Sequence, residues 1–293
     1  MSGGTITWRE VAAETEARLS TITASPAMET RWIIERAGGF DGPDYVLGLD
    51  EDVTERGMHF HDLMVERRLA GEPLQYVLGR WGFRTLDLFI DRRVLIPRPE
   101  TEMVAGLAID RLRSMRSEGI DQPIAVDLGT GSGAIGLSLA VEVERSQVWI
   151  TDASSEALTV ARSNLAGLGR AATRVQIAEG SWFEALPLEL GGSIDVIVSN
   201  PPYVALNDEV EDIVREWEPL SALFAGDDGL DDIRVIVDGA VSWLRPGGTL
   251  IVEMSPAQVP FVCELALVAG FVAADGVVDL AGRPRAVVAR TAD

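Results

Sequence analysis

From Ile124 onward the chain alternates short apolar runs with longer amphipathic stretches, and that alternation limits what it can fold into. The runs fall at 124–127, 148–152, 174–178, 194–199, 249–253, 272–278 and 286–290. They have strand length, are mostly rich in Val and Ile, and are bounded by loop formers. Between them, 134–143, 157–168, 231–244 and 259–269 carry apolar residues at helical spacing. Such alternation predicts an α/β fold with a doubly wound parallel sheet, whose ligand lies beyond the carboxyl ends of its strands.

The run at 194–199 leads into Asn200-Pro201-Pro202-Tyr203. Two successive prolines cannot extend a strand, because neither donates a ladder hydrogen bond. The strand therefore ends at a stiff turn that offers carbonyls but no amide protons around Pro201 and Pro202. Asn200 adds a side-chain oxygen and Tyr203 a flat ring. An acceptor-rich notch of this kind suits a planar nitrogen bearing two N–H donors, such as a carboxamide or an exocyclic base amine.

After the first strand comes Asp127-Leu128-Gly129-Thr130-Gly131-Ser132-Gly133. Gly131-x-Gly133-x-x-Gly136 also satisfies the dinucleotide fingerprint, and Asp152 stands at the spacing of a ribose-binding acid. Asp127 argues against a dinucleotide, because a carboxylate there disfavours a pyrophosphate. It suits a ligand carrying an ammonium or a sulfonium, as S-adenosylmethionine does. Asp152 can accept from both ribose hydroxyls in either cofactor class. Trp182 follows the third strand, where it either stacks on an adenine or packs into the core.

At 293 residues and 47% apolar content, the chain has ample material for one large domain or two unequal ones. No run approaches a membrane span and no secretory signal is visible, so a cytoplasmic setting is expected. The single cysteine, Cys263, rules out an intramolecular disulfide framework. A formal charge of −21, with no window dominated by Lys or Arg, counts against direct nucleic-acid binding.

Residues 1–78 read as a helical unit. Thr7-Trp8-Arg9-Glu10 is a capping-box pattern, and Ser25-Pro26 looks like an N-cap followed by a first-turn proline. A third amphipathic segment covers about 53–70; its His59 and His61 lie two apart on a helix and cannot jointly chelate a metal. The alternation from Leu86 suits strands of a hairpin, assigned to 79–98. Pro97 and Pro99 stiffen the entry to a helix that runs to about Arg116, and Arg98, Glu100 and Glu102 beside them suggest the wall of a site.

The loop from Asp127 to Gly133 resembles the first motif of class I methyltransferases. With the 71–79 segment, 94–102, Asn200 through Tyr203 and Asp279 through Arg283, the chain resembles the HemK-like protein-(glutamine-N5) methyltransferases, and among them the branch acting on peptide-chain release factors. One departure falls at Glu253-Met254-Ser255-Pro256, where that family usually has a glycine shortly after the acid.

The resemblance implies a seven-stranded class I methyltransferase sheet in 99–293, a partner-recognising helical bundle in 1–78, and S-adenosylmethionine as cofactor. It implies that the substrate is the glutamine of a Gly-Gly-Gln loop in a class I release factor. Asp127, Gly129, Thr130, Gly131, Ser132, Gly133, Asp152, Trp182 and Asn200 would hold the cofactor. Asn200, Pro201 and Tyr203 would carry catalysis, with Pro202, Arg98 and Glu100 also facing the substrate. The rivals are a ribosomal-protein glutamine methyltransferase, an adenine-N6 methyltransferase, an NAD-dependent dehydrogenase and a non-catalytic cofactor-binding module.

Overall fold

The structure, a computed structural model, describes residues 6–293; the first five residues of the expected helical unit lie outside them. It divides into two compact units, one ending at Arg80 and the other Trp81–Asp293.

The first unit holds α1 (Trp8–Leu19), α2 (Pro26–Gly38), α3 (Asp44–Gly48), α4 (Glu55–Leu69) and α5 (Leu74–Leu78). The capping box opens α1: the Glu10 carboxylate accepts from Thr7 N at 2.9 Å, and Thr7 Oγ1 accepts from Glu10 N at 3.4 Å. Pro26 opens α2, and Gly39 closes it in a left-handed conformation that costs glycine little. Leu19, Ile33, Met64, Val65, Leu74 and Val77 form the core between these helices. Buried among the packed helices, Arg68 donates to both carboxylate oxygens of Glu29, at 2.7 and 3.2 Å. His61 is also buried, its ring nitrogens 2.7 Å from Thr15 Oγ1 and 3.0 Å from Asp62 Oδ1. The two short helices α3 and α5 lack a sequence signal, because five residues are too few to show a helical period.

A two-stranded hairpin follows, β1 (Arg80–Phe83) with β2 (Leu86–Phe89). Then come α6 (Pro99–Ser117), β3 (Ile124–Leu128), α7 (Ala134–Glu142), β4 (Gln147–Asp152), α8 (Ser155–Ala166), β5 (Val175–Glu179) and β6 (Ile194–Ser199). The chain ends with α9 (Asp212–Trp217), α10 (Asp231–Trp243), β7 (Leu244–Glu253), α11 (Val259–Ala269), β8 (Ala273–Val278) and β9 (Pro284–Arg290).

The seven strands β3 to β9 form one sheet in the order β5-β4-β3-β6-β7-β9-β8. The first five in sequence pair in parallel, whereas β9 lies antiparallel to both β7 and β8. The antiparallel end follows from the short 279–283 connection, which can join only a hairpin and not a crossover. From β3 the chain steps outward through β4 and β5, then returns to the other side of β3 as β6. The strand order thus reverses between β3 and β6, where an open α/β sheet binds its ligand. Leu128 pairs with Thr151 and with Ser199, and Ser199 with Val252. That register brings Gly129, Asp152, Asn200 and Glu253 to one edge of the sheet.

Candidate active site

A cavity of about 630 Å³ opens at this edge. Its wall includes Gly129, Thr130, Gly131 and Ser132 from the loop after β3, Asp152 at the end of β4, and Asn200 and Pro202 after β6. Trp182 closes one side, and the segment entering α6 contributes Val94, Leu95, Pro97 and Thr101. A volume of this size suits a single cofactor-sized molecule.

Backbone amides of the glycine loop decide what that molecule can be. Thr130 N donates to Thr151 O at 2.8 Å and Gly133 N to Thr130 O at 2.9 Å. Gly131 N donates to Asp152 Oδ2 and Gly136 N to Asp127 Oδ2, each at 2.9 Å. A dinucleotide fold aims such amides at a pyrophosphate; here protein oxygens take them, two of them carboxylates. A phosphate would meet anionic oxygen where it needs donors.

Asp127 occupies a place different from the one expected. It does not line the cavity; it is buried beneath the loop, with Oδ2 also accepting from Thr130 Oγ1 at 2.6 Å. On β3 its side chain projects from the sheet face toward α7, whose Gly136 would bring an added Cβ within 3.1 Å of Asp127 Oδ2. Oδ1 is buried and among the described residues has no hydrogen-bond partner, and burial pushes the carboxyl up to about 6. Asp127 therefore fixes the loop directly and acts on a bound cation only through its charge.

Asp152 does reach the wall. Oδ1 accepts from Ser154 N and Oδ2 from Gly131 N, each at 2.9 Å. Each oxygen keeps a lone pair for a ribose hydroxyl, while burial raises the carboxyl's pKa. Trp182 packs against the sheet's core, as one reading expected, and its ring also faces the cavity over Gly129. A Cβ on Gly129 would stand 3.3 Å from that ring, so glycine lets loop and indole approach. Trp182 Nε1 donates to Asp232 Oδ1 at 3.2 Å, which holds the ring plane.

At the turn, Asn200 Nδ2 donates to Thr101 Oγ1 at 3.3 Å, and among the described residues no protein group donates to Oδ1. Pro201 is buried, and neither it nor Tyr203 lines the cavity. The Tyr203 hydroxyl reaches Glu253 Oε1 at 3.5 Å, and the ring packs on the sheet core. Burial, with the Glu253 carboxylate adding to it, pushes the Tyr203 phenol up to about 12. Gln258 Nε2 donates to Tyr203 O at 3.0 Å and Gly229 O at 3.1 Å, and its Oε1 accepts from Ser255 N at 3.1 Å. Gln258 thus fixes the loop after Glu253, the place where the sequence departs from the family pattern.

Arg98 and Glu100 are not on the cavity wall. Arg98 donates to Glu218 Oε1 at 2.6 Å, while Glu218 Oε2 accepts from Ile96 N at 3.1 Å. Glu100 accepts from Arg283 at 3.2 Å. Their ion pairs hold the 94–101 segment against the α9 region and the 279–283 turn, which positions the wall without forming it. Asn164 on α8 is a further anchor without a sequence signal. It accepts from Phe89 N at 2.7 Å and donates to Phe89 O at 3.0 Å and Ser132 O at 2.8 Å, tying the hairpin to the glycine loop.

The residues present fit S-adenosylmethionine. Asp152 offers paired acceptors for a ribose, Trp182 a flat face for a purine, and the orphaned Asp127 oxygen a negative field beneath a cationic methionine moiety.

Comparison with known proteins agrees. Residues 10–79 match the PrmC N-terminal domain family and residues 112–217 the Methyltransferase small domain family. A release factor glutamine methyltransferase of Xylella fastidiosa (strain 9a5c) is 42% identical over 78% of this chain and 79% of its own length. One from Deinococcus radiodurans is 36% identical over 97% of this chain and 98% of its own. Among solved structures, the hMettl16 catalytic domain in complex with MAT2A 3'UTR hairpin 6 shares the fold, with a TM-score of 0.54 and 12% identity over 82% of this chain and 83% of that one. Identities of 42% over 78% of this chain and 36% over 97% of it place the chain in the release factor glutamine methyltransferase family.

Proposed function

We propose that this protein methylates the side-chain amide nitrogen (N5) of the glutamine in the Gly-Gly-Gln loop of a class I peptide-chain release factor. The observation that carries this reading is Asn200: its Nδ2 is tied to Thr101, which leaves Oδ1 as a fixed acceptor on the cavity wall. The release factor glutamine methyltransferase names of its relatives support the partner class.

S-adenosylmethionine, when bound, supplies a methyl group on a sulfonium sulfur that departs as a neutral thioether. The loop 129–133 and Asp152 would hold it, with Trp182 against its purine. An amide nitrogen is a weak nucleophile, since its lone pair is delocalised into the carbonyl. Asn200 Oδ1, on the cavity wall, accepts an N–H bond of the substrate amide and raises electron density on nitrogen, while Pro201, buried behind it, keeps the turn free of a competing amide proton. That bond strengthens as nitrogen gains positive character, so the turn binds the transition state more tightly than the ground state. The nitrogen releases its proton only after it has gained the methyl, when it is acidic. The site therefore orients and polarises, and needs no strong base. Pro202 shapes the wall beside the amide, and Tyr203 braces the turn from the core side.

Residues 1–78 act as the partner-holding unit, 79–98 as the link and 99–293 as the transferase. Among the described residues no helix is long and apolar enough to cross a membrane.

The test is incubation with methyl-labelled S-adenosylmethionine and a purified release factor, wild type or with the loop glutamine replaced. Label is expected on the first only; label kept on the replaced factor would show a different acceptor.

A further inference from the structure

One end of the Trp182 indole lies against the glycine loop: a Cβ on Gly129 would stand 3.3 Å from Cζ3 of its six-membered ring. The opposite end carries Nε1, which donates to Asp232 Oδ1 at 3.2 Å. Asp232 stands half-buried in the first turn of α10 and lines the same cavity. Indole and purine are fused planar ring pairs of nearly equal length. Asp152, bonded to Gly131, marks the ribose end at the glycine loop. A purine laid along the indole from that end points its far ring at Asp232.

Asp232 is built to meet a donor. Among the described residues Trp182 is the only group that donates to it, and Oδ2 is met by none. Arg234 pairs instead with Asp228 at 2.6 Å and with Asp231 at 3.3 Å. The carboxylate thus stands without a cation, and its pKa is raised by burial, with Asp231 adding to the rise and the indole N–H opposing it. Both oxygens of an ionised carboxylate only accept, so a ligand N–H is what this group lacks.

We propose that Asp232 reads the purine edge of the cofactor, its Oδ2 accepting an N–H of the exocyclic 6-amine and so selecting a 6-aminopurine over a 6-oxopurine. This rests on S-adenosylmethionine as the cofactor and not on which amide is methylated. Adenine carries two N–H donors on C6, at the far end from the ribose-bearing N9. Hypoxanthine carries a carbonyl oxygen there, which would face the carboxylate lone pair to lone pair. Its N1–H could reach Asp232 only if the base slid along the indole and drew the ribose off Asp152. A site that hydrogen-bonds a ligand donor rejects the analogue lacking it more strongly than apolar contact does. The indole offers stacking that any purine satisfies, and the acid makes the choice.

The test is calorimetric affinity for S-adenosylhomocysteine and for its deaminated analogue, S-inosylhomocysteine, in wild type, Asp232→Asn and Asp232→Ala. Wild type should prefer the adenosyl ligand by about 100-fold. Asp232→Asn keeps an acceptor for Trp182 Nε1 and turns an NH₂ toward the cavity. Its affinity for the adenosyl ligand should fall about 10- to 100-fold, and the preference should vanish or invert. Asp232→Ala should bring the two ligands within about fivefold of each other. An acid that only braces the indole would weaken both ligands alike and leave their ratio at the wild-type value. Should Asp232→Ala fold poorly, the ratio in Asp232→Asn decides. An unchanged ratio in Asp232→Asn, or wild-type affinities within about threefold of each other, would overturn the purine-reading role and leave the cofactor assignment in place. A wild-type protein that binds neither ligand would overturn both.

Discussion

Replacing Asn200 with alanine separates catalysis from cofactor binding. The folded state loses one hydrogen bond, the 3.3 Å contact to Thr101, in a part-buried position. That is worth about 1 kcal/mol, which lowers the melting temperature of a unit this size by about 2–4 °C. The transition state loses more, because Oδ1 faces a nitrogen that is becoming positive. Removing one such preorganised contact costs about 3 kcal/mol, or roughly 100- to 1,000-fold in rate. Asp152, Gly131 and Trp182 remain in place, so affinity for S-adenosylmethionine should change less than about fivefold. Single-turnover transfer of a labelled methyl at saturating release factor reads the first quantity, and calorimetry the second. Equal losses in both, or a rate within threefold of wild type, would refute an amide-binding role for Asn200.

Asp152→Ala should show the opposite emphasis. It removes the ribose acceptors and the anchors of Gly131 N and Ser154 N, so calorimetry should read cofactor affinity weakened about 100-fold, with turnover at saturating cofactor largely kept. Asp127 adds a pH dependence. Its folded pKa of about 6 lies above the ordinary aspartate value of 3.8, so the folded state binds the extra proton between those limits. Its ionisation therefore costs nothing below about pH 4 and the full amount above about pH 6, on the order of 3 kcal/mol. Asp127→Asn should remove that fall in stability from pH 4 to 6 in urea titrations of the ligand-free protein; an unchanged fall would locate it elsewhere. In the helical unit, Arg68→Ala strands Glu29 in the core and should cost about 3–5 kcal/mol, read as at least 100-fold faster amide exchange over α2 and α4. Replacing both partners with apolar residues should restore most of the protection, since neither charge is then left unpaired.

Two kinds of information were legible in the residues alone. The strand–helix alternation from Ile124 fixed a doubly wound sheet, because a strand covered on both faces must be apolar throughout and a flanking helix only on one. The Asp127–Gly133 loop and the Asn200–Tyr203 turn were readable because their chemistry is local: glycines supply left-handed backbone, and paired prolines remove amide protons. Helix caps were equally visible at Thr7 and Pro26, since each depends on residues within one turn.

Tertiary structure alone decided what those local pieces face. Sequence put Asp127 at the loop, yet only the sheet register shows its carboxylate beneath the glycines and not on the wall. Arg98 and Glu100 stood beside a site by spacing, but partners more than a hundred residues away, Glu218 and Arg283, hold them in ion pairs. Asn164 and Gln258 carried no signal and Thr101 only its place in the 94–102 segment, for a single polar residue gains its meaning from a partner brought to it by the fold. A residue's conformation is a short-range property, and which neighbour completes its hydrogen bonds is a long-range one. That is why the sequence named the chemistry while the fold set its aim.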